Sequence, residues 1–244
     1  MKKNDKYLAI IIAAGLSSRM GGFKPLMDVG GKPALYRLID SIIDAGIENI
    51  AVVTGYGHEA IAAAIAEYRT VDGLRYKDTR YQAEDVAGER GPAEETHMDP
   101  SIKIVTIYNA DYESGMFGSV KTGIGFAAGQ IECRAVLLFP VDAPLVSAVT
   151  IKGLVNNWEL SDLRDSVSQF AVPVYEGKNG HPLLIPREFF DEILTFTGEG
   201  GLKSVRAGYD GNMIRYVADD AGCVLDMDTP KDYAELIEYD RRQK

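Results

Sequence analysis

Four side chains near the N-terminus are of the types that grip a phosphate. Ser17 and Ser18 bring hydroxyls, and Arg19 and Lys24 bring cations. Just before them, Ala13, Ala14 and Gly15 are small enough for a ligand to lie against the backbone. The amides of such a loop add further anion donors. Chemistry of the opposite sign lies far along the chain. Asp142 follows the apolar run Ala135-Val136-Leu137-Leu138-Phe139 within Pro140-Val141-Asp142-Ala143-Pro144. A carboxylate at the C-terminal end of a central parallel strand stands where ligands bind in open α/β sheets, although a lone Asp there also commonly begins a turn. A further acidic stretch, Asp226-Met227-Asp228-Thr229-Pro230, reads partly as a helix entry. Thr229 as N-cap, Pro230 at N1 and Asp232 at N3 satisfy the capping pattern. That pattern leaves Asp226 without an explanation.

Two familiar nucleotide motifs are excluded or weakened. A Walker loop needs Gly-Lys-Ser/Thr, whereas this loop ends Gly22-Phe23-Lys24-Pro25, and Gly31-Lys32-Pro33 fails in the same way. Gly55-Tyr56-Gly57-His58-Glu59-Ala60 does fit Gly-x-Gly-x-x-Ala. That fingerprint belongs after the first strand, with an acid ending the next buried strand about twenty residues on. At that distance stands only the polar Arg75-Tyr76-Lys77-Asp78. The stretch reads as a tight turn, and the dinucleotide alternative would show itself as NAD(H) binding.

These residues need elements to position them. Leu8 to Ile12 is apolar without alternation, as in a strand buried on both faces. Residues 33–45 carry Leu35, Leu38, Ile39, Ile42 and Ile43 at helical spacing and end at Gly46. A strand over Asn49–Thr54 and a helix over His58–Tyr68 follow. Further strands are expected over Ile102–Tyr108, Ala135–Phe139, Ser168–Tyr175, Leu183–Ile185 and Met213–Val217. Helices are expected from near Phe117, over Val149–Leu160 with Trp158 in the core, and over Pro230–Arg241. Ser114 could cap the helix that starts near Phe117. Alternating strands and helices are the grammar of a parallel sheet. Residues 69–100 break it, being polar, rich in Glu, Asp and Gly, and aperiodic. They read as a partly mobile insertion that nominates no chemistry.

The 244 residues carry a net charge of −10, which argues against a nucleic-acid surface. An acidic chain can still serve a nucleotide if a few cations and a divalent metal are focused at one place. Two cysteines, Cys133 and Cys223, have neither disulfide-framework nor metal-site spacing. No apolar run is long enough to span a bilayer and the charged start, MKKNDKY, has no signal-peptide cleavage site, so no membrane association is expected and the cytoplasm is the expected compartment.

The loop Ala13-Ala14-Gly15-Leu16-Ser17-Ser18-Arg19-Met20-Gly21, followed by Lys24-Pro25-Leu26, resembles the signature of the MobA-like nucleotidyltransferases. Members of that family move a nucleoside monophosphate from an NTP to an acceptor phosphate. The resemblance runs from Leu8 to the last helix and skips residues 69–100. It implies one domain over residues 1–244, a three-layer α/β/α Rossmann-like nucleotidyltransferase fold with a mostly parallel mixed sheet. It implies catalytic roles for Arg19, Lys24 and Asp142. Nucleotide contacts would come from Ala13, Ala14, Gly15, Ser17, Ser18, Arg19, Lys24, Thr54, Gly115 and Ser119. Asp142 matches the family's metal-binding Asp, although Val141 and Ala143 replace the usual Gly and Met around it. Asp226 is the second expected metal ligand, with Asp228 secondary. Few protein ligands and many phosphate oxygens suit Mg²⁺. Gly180-His181-Pro182 resembles the molybdopterin-directed members, which places His181, with Gly200 and Lys203, on the acceptor side. Guanylyl-transferring members usually carry Leu-Ala-Gly-Gly at the first loop, so Ala13-Ala14-Gly15 favours CTP and cytidylyl transfer to molybdopterin. A molybdoenzyme or its chaperone is then a conceivable partner. The alternatives are a sugar-phosphate or alcohol-phosphate acceptor, a guanylyltransferase, and, in another class, a non-catalytic nucleotide- or cofactor-binding protein.

Overall fold

The computed structural model describes residues 6–72, 102–162 and 168–243. In chain order the elements are β1 (Tyr7–Ala13), β2 (Asp28–Val29), β3 (Lys32–Pro33), α1 (Ala34–Asp44), β4 (Asn49–Thr54) and α2 (His58–Asp72). There follow β5 (Lys103–Tyr108), α3 (Met116–Ala128), β6 (Ala135–Pro140), α4 (Ala148–Asp162), β7 (Ala171–Tyr175) and β8 (Lys178–Asn179). The chain ends with β9 (Leu183–Pro186), α5 (Phe190–Thr195), α6 (Gly201–Ala207), β10 (Ile214–Val217) and α7 (Pro230–Arg242). The polar stretch expected to start at Arg69 begins inside α2, which continues to Asp72. The rest of it, 73–100, lies outside the described residues.

The main sheet runs β10-β7-β9-β6-β1-β4-β5, with β8 paired to β7. β1 lies parallel to both β4 and β6, β4 is parallel to β5, and β7 is parallel to β10. β9 runs antiparallel to both β6 and β7, so the sheet is mixed but mostly parallel. β2 and β3 form a separate small hairpin.

The unbroken apolar character of β1 has a direct structural reading. Tyr7, Ala9, Ile11 and Ala13 enter the core on one face, with Leu35, Leu38 and Ile39 of α1, Ile61 of α2 and Trp158 of α4. Leu8, Ile10 and Ile12 enter the core on the other face, with Val120 and Ile124 of α3, Ile193 of α5 and Val205 of α6. Burial on both faces removes the polar alternation that a half-exposed strand would show. Helices on both faces of the sheet make the three layers. The final helix joins Met227 and Leu236 to Val29 and Ala34 in a third, smaller cluster. The Trp158 indole N–H donates to the Gln169 carbonyl at 2.8 Å, which satisfies its polar atom inside the core.

The helix boundaries follow their chemistry. Gly46 takes φ 84° beyond α1, in the left-handed region that a residue with a Cβ avoids. Thr229 and Asp232 form a reciprocal capping box at α7, as their spacing predicts. Ser114 does not cap α3. Its hydroxyl donates to the Asp111 carbonyl at 2.7 Å, and the cap position is Gly115. Ser114 closes the single turn Tyr112–Ser114 that precedes α3, which competes with capping.

Candidate active site

The C-terminal ends of β6, β1, β4 and β5 stand side by side. Ile12 pairs with Pro140, Ala13 with Thr54, and Thr54 with Tyr108. The chain leaves β1 towards β4 and β5 and later returns on the other side to β6. The crevice beyond β1 and β6 is therefore a switch point of strand order, where open α/β sheets bind ligands. Residues 14–24 leave one lip of it, and residues 141–145 the other.

The loop after β1 is held by its own contacts. Ser17 has φ 52°, an unusual conformation for a residue with a Cβ and a small store of backbone strain. Its carbonyl accepts from the Met20 amide at 3.0 Å, and its hydroxyl accepts from the Lys24 amide at 3.2 Å. Met20 is buried, which anchors the loop while Arg19 stays largely exposed. A single turn at Lys24–Leu26 then aims the Lys24 side chain back across the crevice.

There Lys24 meets the two distant acidic segments. Its Nζ donates to Asp228 Oδ1 at 2.6 Å and to Asp142 Oδ2 at 3.2 Å. Arg19 donates to the other oxygen of Asp228 at 2.9 Å. The Met227 amide donates to the Asp142 carbonyl at 3.0 Å, so the two acidic segments are also tied backbone to backbone. Burial alone would lower the Lys24 ammonium's pKa, but its bonds to Asp228 and Asp142 outweigh that and raise it. The hydrogen bond from Lys24 holds the Asp228 carboxyl below its ordinary value, against a smaller opposing effect of burial. Asp226 is pushed the other way, first by burial and then by repulsion from Asp142, Asp228 and Asp232.

This asymmetry separates the two acids of the Asp226-Met227-Asp228 stretch. Asp228 is engaged by both cations of the first loop. Asp226 has the Asp228 amide but, among the described residues, no cation against three neighbouring carboxylates. Among the described residues, no group of three or more His, Cys, Asp or Glu side chains is arranged to hold a metal by itself. A crowded, under-neutralised carboxylate beside a second one fits Mg²⁺, which takes few protein oxygens and completes its shell with water and substrate phosphates.

The other residues singled out in the sequence fall on the same edge or near it. The Ala14 carbonyl accepts from the Tyr56 amide at 3.3 Å, which joins the first loop to the turn after β4. Ser18 and Gly15 are exposed in that loop. Thr54 is buried, and its hydroxyl donates to the Ile107 carbonyl at 3.1 Å and shares a 2.7 Å hydrogen bond with His58 Nδ1. The Ser119 hydroxyl accepts from Asn109 Nδ2 at 3.0 Å, and Asn109 Oδ1 accepts from the Asp111 amide at 3.1 Å. Thr54 and Ser119 are thus bonded within the fold, and they shape the site through the loops they fix. Asn109, at the end of β5, was not singled out. Its place at a strand end, followed by Ala110-Asp111, was the available signal. Gly115 has φ 115° and open space around its Cα, which exposes backbone at the start of α3.

The Gly-x-Gly-x-x-Ala stretch has a packing explanation. A Cβ on Gly55 would meet the Tyr112 side chain at 2.4 Å, and one on Gly57 would meet the Phe23 ring at 2.5 Å. The space these glycines leave is filled by the protein's own aromatic rings, not kept for a dinucleotide. Both cysteines are buried, and burial pushes each thiol up to about 11, so neither supplies a thiolate near neutral pH.

The residues expected on the acceptor side are held by the C-terminal half. The His181 amide donates to the Cys223 carbonyl at 2.8 Å, which sets the loop before β9 against the segment leading to Asp226. Gly200 enters α6 with φ 82°, where a Cβ would strike the Ser204 hydroxyl, and Lys203 is exposed on that helix.

The sequence pattern of the MobA-like NTP transferase domain matches residues 9–213. The chain belongs to the MobA-like NTP transferase family. The cation–carboxylate crevice is its candidate active site. A 2-aminoethylphosphonate cytidylyltransferase of Lancefieldella rimae is 39% identical over 72 residues, 28% of this chain and 29% of the relative. A choline-phosphate cytidylyltransferase of Haemophilus influenzae is 46% identical over 56 residues, 21% of this chain and 24% of the relative. The chain spans under a third of the length of these curated relatives. Among solved structures, Rv0371c of Mycobacterium tuberculosis H37Rv is 20% identical, with a TM-score of 0.64 over 96% of this chain and 97% of that one. Its complex with manganese aligns at 18% identity and a TM-score of 0.61, over 96% and 98% of the two chains. These similarities cover the fold from end to end. Nucleotidyltransferases of this fold commonly use divalent metals. No helix among the described residues is long and apolar enough to cross a membrane.

Proposed function

We propose that the protein transfers CMP from CTP to the terminal phosphate of a molybdopterin-type acceptor carrying its metal, with release of pyrophosphate. The observation that carries this reading is Lys24 Nζ poised between Asp142 and Asp228 at the mouth of the sheet, with Arg19 on the outer oxygen of Asp228. Two cations and two carboxylates interleaved there can receive a triphosphate and neutralise charge as it moves during phosphoryl transfer.

In the reaction, an oxygen of the acceptor's phosphate attacks the α-phosphorus of the nucleotide. The new P–O bond forms as the bond to the β-phosphate oxygen breaks, and pyrophosphate leaves with that electron pair. The attacking oxygen is already ionised, so the site needs no strong general base. Mg²⁺, held by Asp142 and Asp226, would supply charge neutralisation on the phosphates and a template for the in-line approach. Arg19 and Lys24 bind the β- and γ-phosphates and stabilise the departing pyrophosphate. Ser17 fixes the Lys24 amide, and the amides of Ala14, Gly15 and Ser18 line the path of the nucleotide. Residues near Thr54, Gly115 and Ser119 border the base and ribose. His181, Gly200 and Lys203 face the acceptor.

A second reading keeps the chemistry and changes the acceptor to a small phosphate or phosphonate. It is favoured by the identity to cytidylyltransferases of 2-aminoethylphosphonate and choline phosphate. Pyrophosphate release separates the two. CTP, GTP, ATP and UTP are each supplied with Mg²⁺, alone and with metal-bearing molybdopterin, 2-aminoethylphosphonate or phosphocholine. CTP-selective release that requires the pterin supports the first reading. Release only with the small acceptors supports the second, and release with none of them overturns both.

A further inference from the structure

The lysine of the first loop stands where a divalent cation is expected. Lys24 Nζ is 2.6 Å from Asp228 Oδ1 and 3.2 Å from Asp142 Oδ2. Its side chain is 12% exposed, against 26% for Asp142 and 34% for Asp228, so the ammonium is the most enclosed of the three groups. The two contacts are unequal. The first is a short charge-assisted hydrogen bond, and the second is at the long end of the range. Asp228 also receives Arg19 on its other oxygen at 2.9 Å, so each of its oxygens has a cation. Among the described residues, Lys24 is the cation that reaches Asp142 at hydrogen-bond distance.

The Lys24 backbone is pinned by Ser17, whose hydroxyl accepts from its amide at 3.2 Å, and by the turn that follows. The four-carbon stem beyond that backbone is flexible. Nζ can therefore release Asp142 by a side-chain movement that keeps the shorter bond to Asp228 and leaves the loop in place. The Met227 amide on the Asp142 carbonyl, at 3.0 Å, brings the preceding residue, Asp226, to the same end of the crevice. Once the ammonium leaves, Asp142 and Asp226 are two carboxylates without a cation, a donor set suited to Mg²⁺. While it stays, it occupies an oxygen of Asp142 and repels a second cation.

We propose that Lys24 is a placeholder cation: in the nucleotide-free protein it sits on Asp142 and keeps a divalent metal out, and an incoming nucleoside triphosphate draws it off. The proposal rests on the reading of the crevice as an NTP site with Asp142 as a metal ligand. A triphosphate supplies oxyanions that compete with Asp142 for the ammonium. Metal affinity is then conditional on nucleotide, and by linkage the metal raises nucleotide affinity by the same factor. The device is regulatory. Asp142 stays neutralised at rest and is given to the metal only when phosphates are present to complete the metal's shell.

The test reads free Mn²⁺ by electron paramagnetic resonance as it is titrated into the full chain, first without nucleotide. Lys24→Met should bind Mn²⁺ about tenfold more tightly than wild type, and Lys24→Arg, which keeps a cation, should stay near wild type. Adding Asp142→Asn to Lys24→Met should abolish the gain, which locates the competition at that carboxylate. Cooperative thermal melting of each variant establishes that it is folded. The titrations are repeated with the same saturating CTP throughout, so that Mn²⁺ held by CTP in solution is common to both proteins. The gap between wild type and Lys24→Met should then close to within about twofold. Equal Mn²⁺ affinity of wild type and Lys24→Met without nucleotide overturns the placeholder, as does a gain in Lys24→Arg as large as in Lys24→Met. A gap that persists under saturating CTP overturns the coupling to nucleotide. If CTP binds neither protein while Lys24→Met still tightens Mn²⁺ binding, the nucleotide reading fails and the competition at Asp142 stands.

Discussion

The two sides of the crevice handle charge in opposite ways. On the side of the first loop, Lys24 and Arg19 are met by Asp142 and Asp228 at hydrogen-bond distance. In the loop before β9, the buried Nδ1 of His181 has no hydrogen-bond partner among the described residues. The first side is complete without ligand, because each cation has a carboxylate to hold it in place. A triphosphate must therefore exchange places with protein carboxylates to reach Lys24 and Arg19. The residues of the first loop and the acidic segments hold one another by charge, whereas His181 is held through its backbone amide on the Cys223 carbonyl.

The hardest blow to this division falls on its shared edge. Asp142→Ala should lower pyrophosphate release by about 10³-fold, since it removes a proposed metal ligand and one contact of Lys24. Lys24 keeps Asp228, so thermal unfolding should shift by only a few degrees. If His181→Gln reduced kcat as severely as Asp142→Ala, the two sides would not be functionally distinct.

Lys24→Met sharpens the first side. It should lower kcat by about 10²-fold and destabilise the protein by about 1–2 kcal/mol, less than for a fully buried pair because the two carboxylates are partly exposed. Freed of their ammonium, Asp142 and Asp228 should bind Mn²⁺ more tightly in the absence of nucleotide, as read by electron paramagnetic resonance. Weaker Mn²⁺ binding would mean that Lys24 and the metal do not compete for these oxygens.

The smallest expected effect belongs to the second side. Burial, with Arg206 adding to it and Asp142 opposing, leaves the folded His181 imidazole less basic than in the unfolded chain. Its contribution to stability is then fully present above an ordinary pKa of about 6.5 and is lost as pH falls towards the depressed folded value. The unfolding midpoint should drop between pH 7 and pH 5.5, and His181→Gln should drop less steeply. An identical slope in both proteins would place the imidazole in water rather than in the protein interior.

Much of the fold was legible because double-sided burial writes itself into β1, β4 and β6 as unbroken apolar runs. β9 was visible as Leu183-Leu184-Ile185 but not its direction, since a strand buried on both faces has the same composition whether it runs parallel or antiparallel. The hairpin of β2 and β3 and the short helix α5 escaped notice because two to six residues carry too little periodicity. Arg19, Lys24, Asp142 and Asp226 could be singled out by type, spacing and resemblance. That Lys24 joins Asp142 to Asp228 could not, because pairing across more than a hundred residues leaves no local trace. The glycines at 55 and 57 misled for a related reason. Their partners, Tyr112 and Phe23, are distant in sequence and adjacent only once the sheet has formed.

The backbone bond from Met227 to the Asp142 carbonyl, and the reach of Lys24 to Asp228 across 204 positions, set an order of events during synthesis. A ribosome delivers the phosphate-gripping loop first and its counter-charges last. Until residues 226–228 emerge, the nascent sheet carries a lysine and an arginine facing an incomplete crevice, open to any cellular polyanion. Arrival of the late acidic segment closes that exposure, because Asp228, the carboxylate that both cations share, stands 204 positions beyond Lys24.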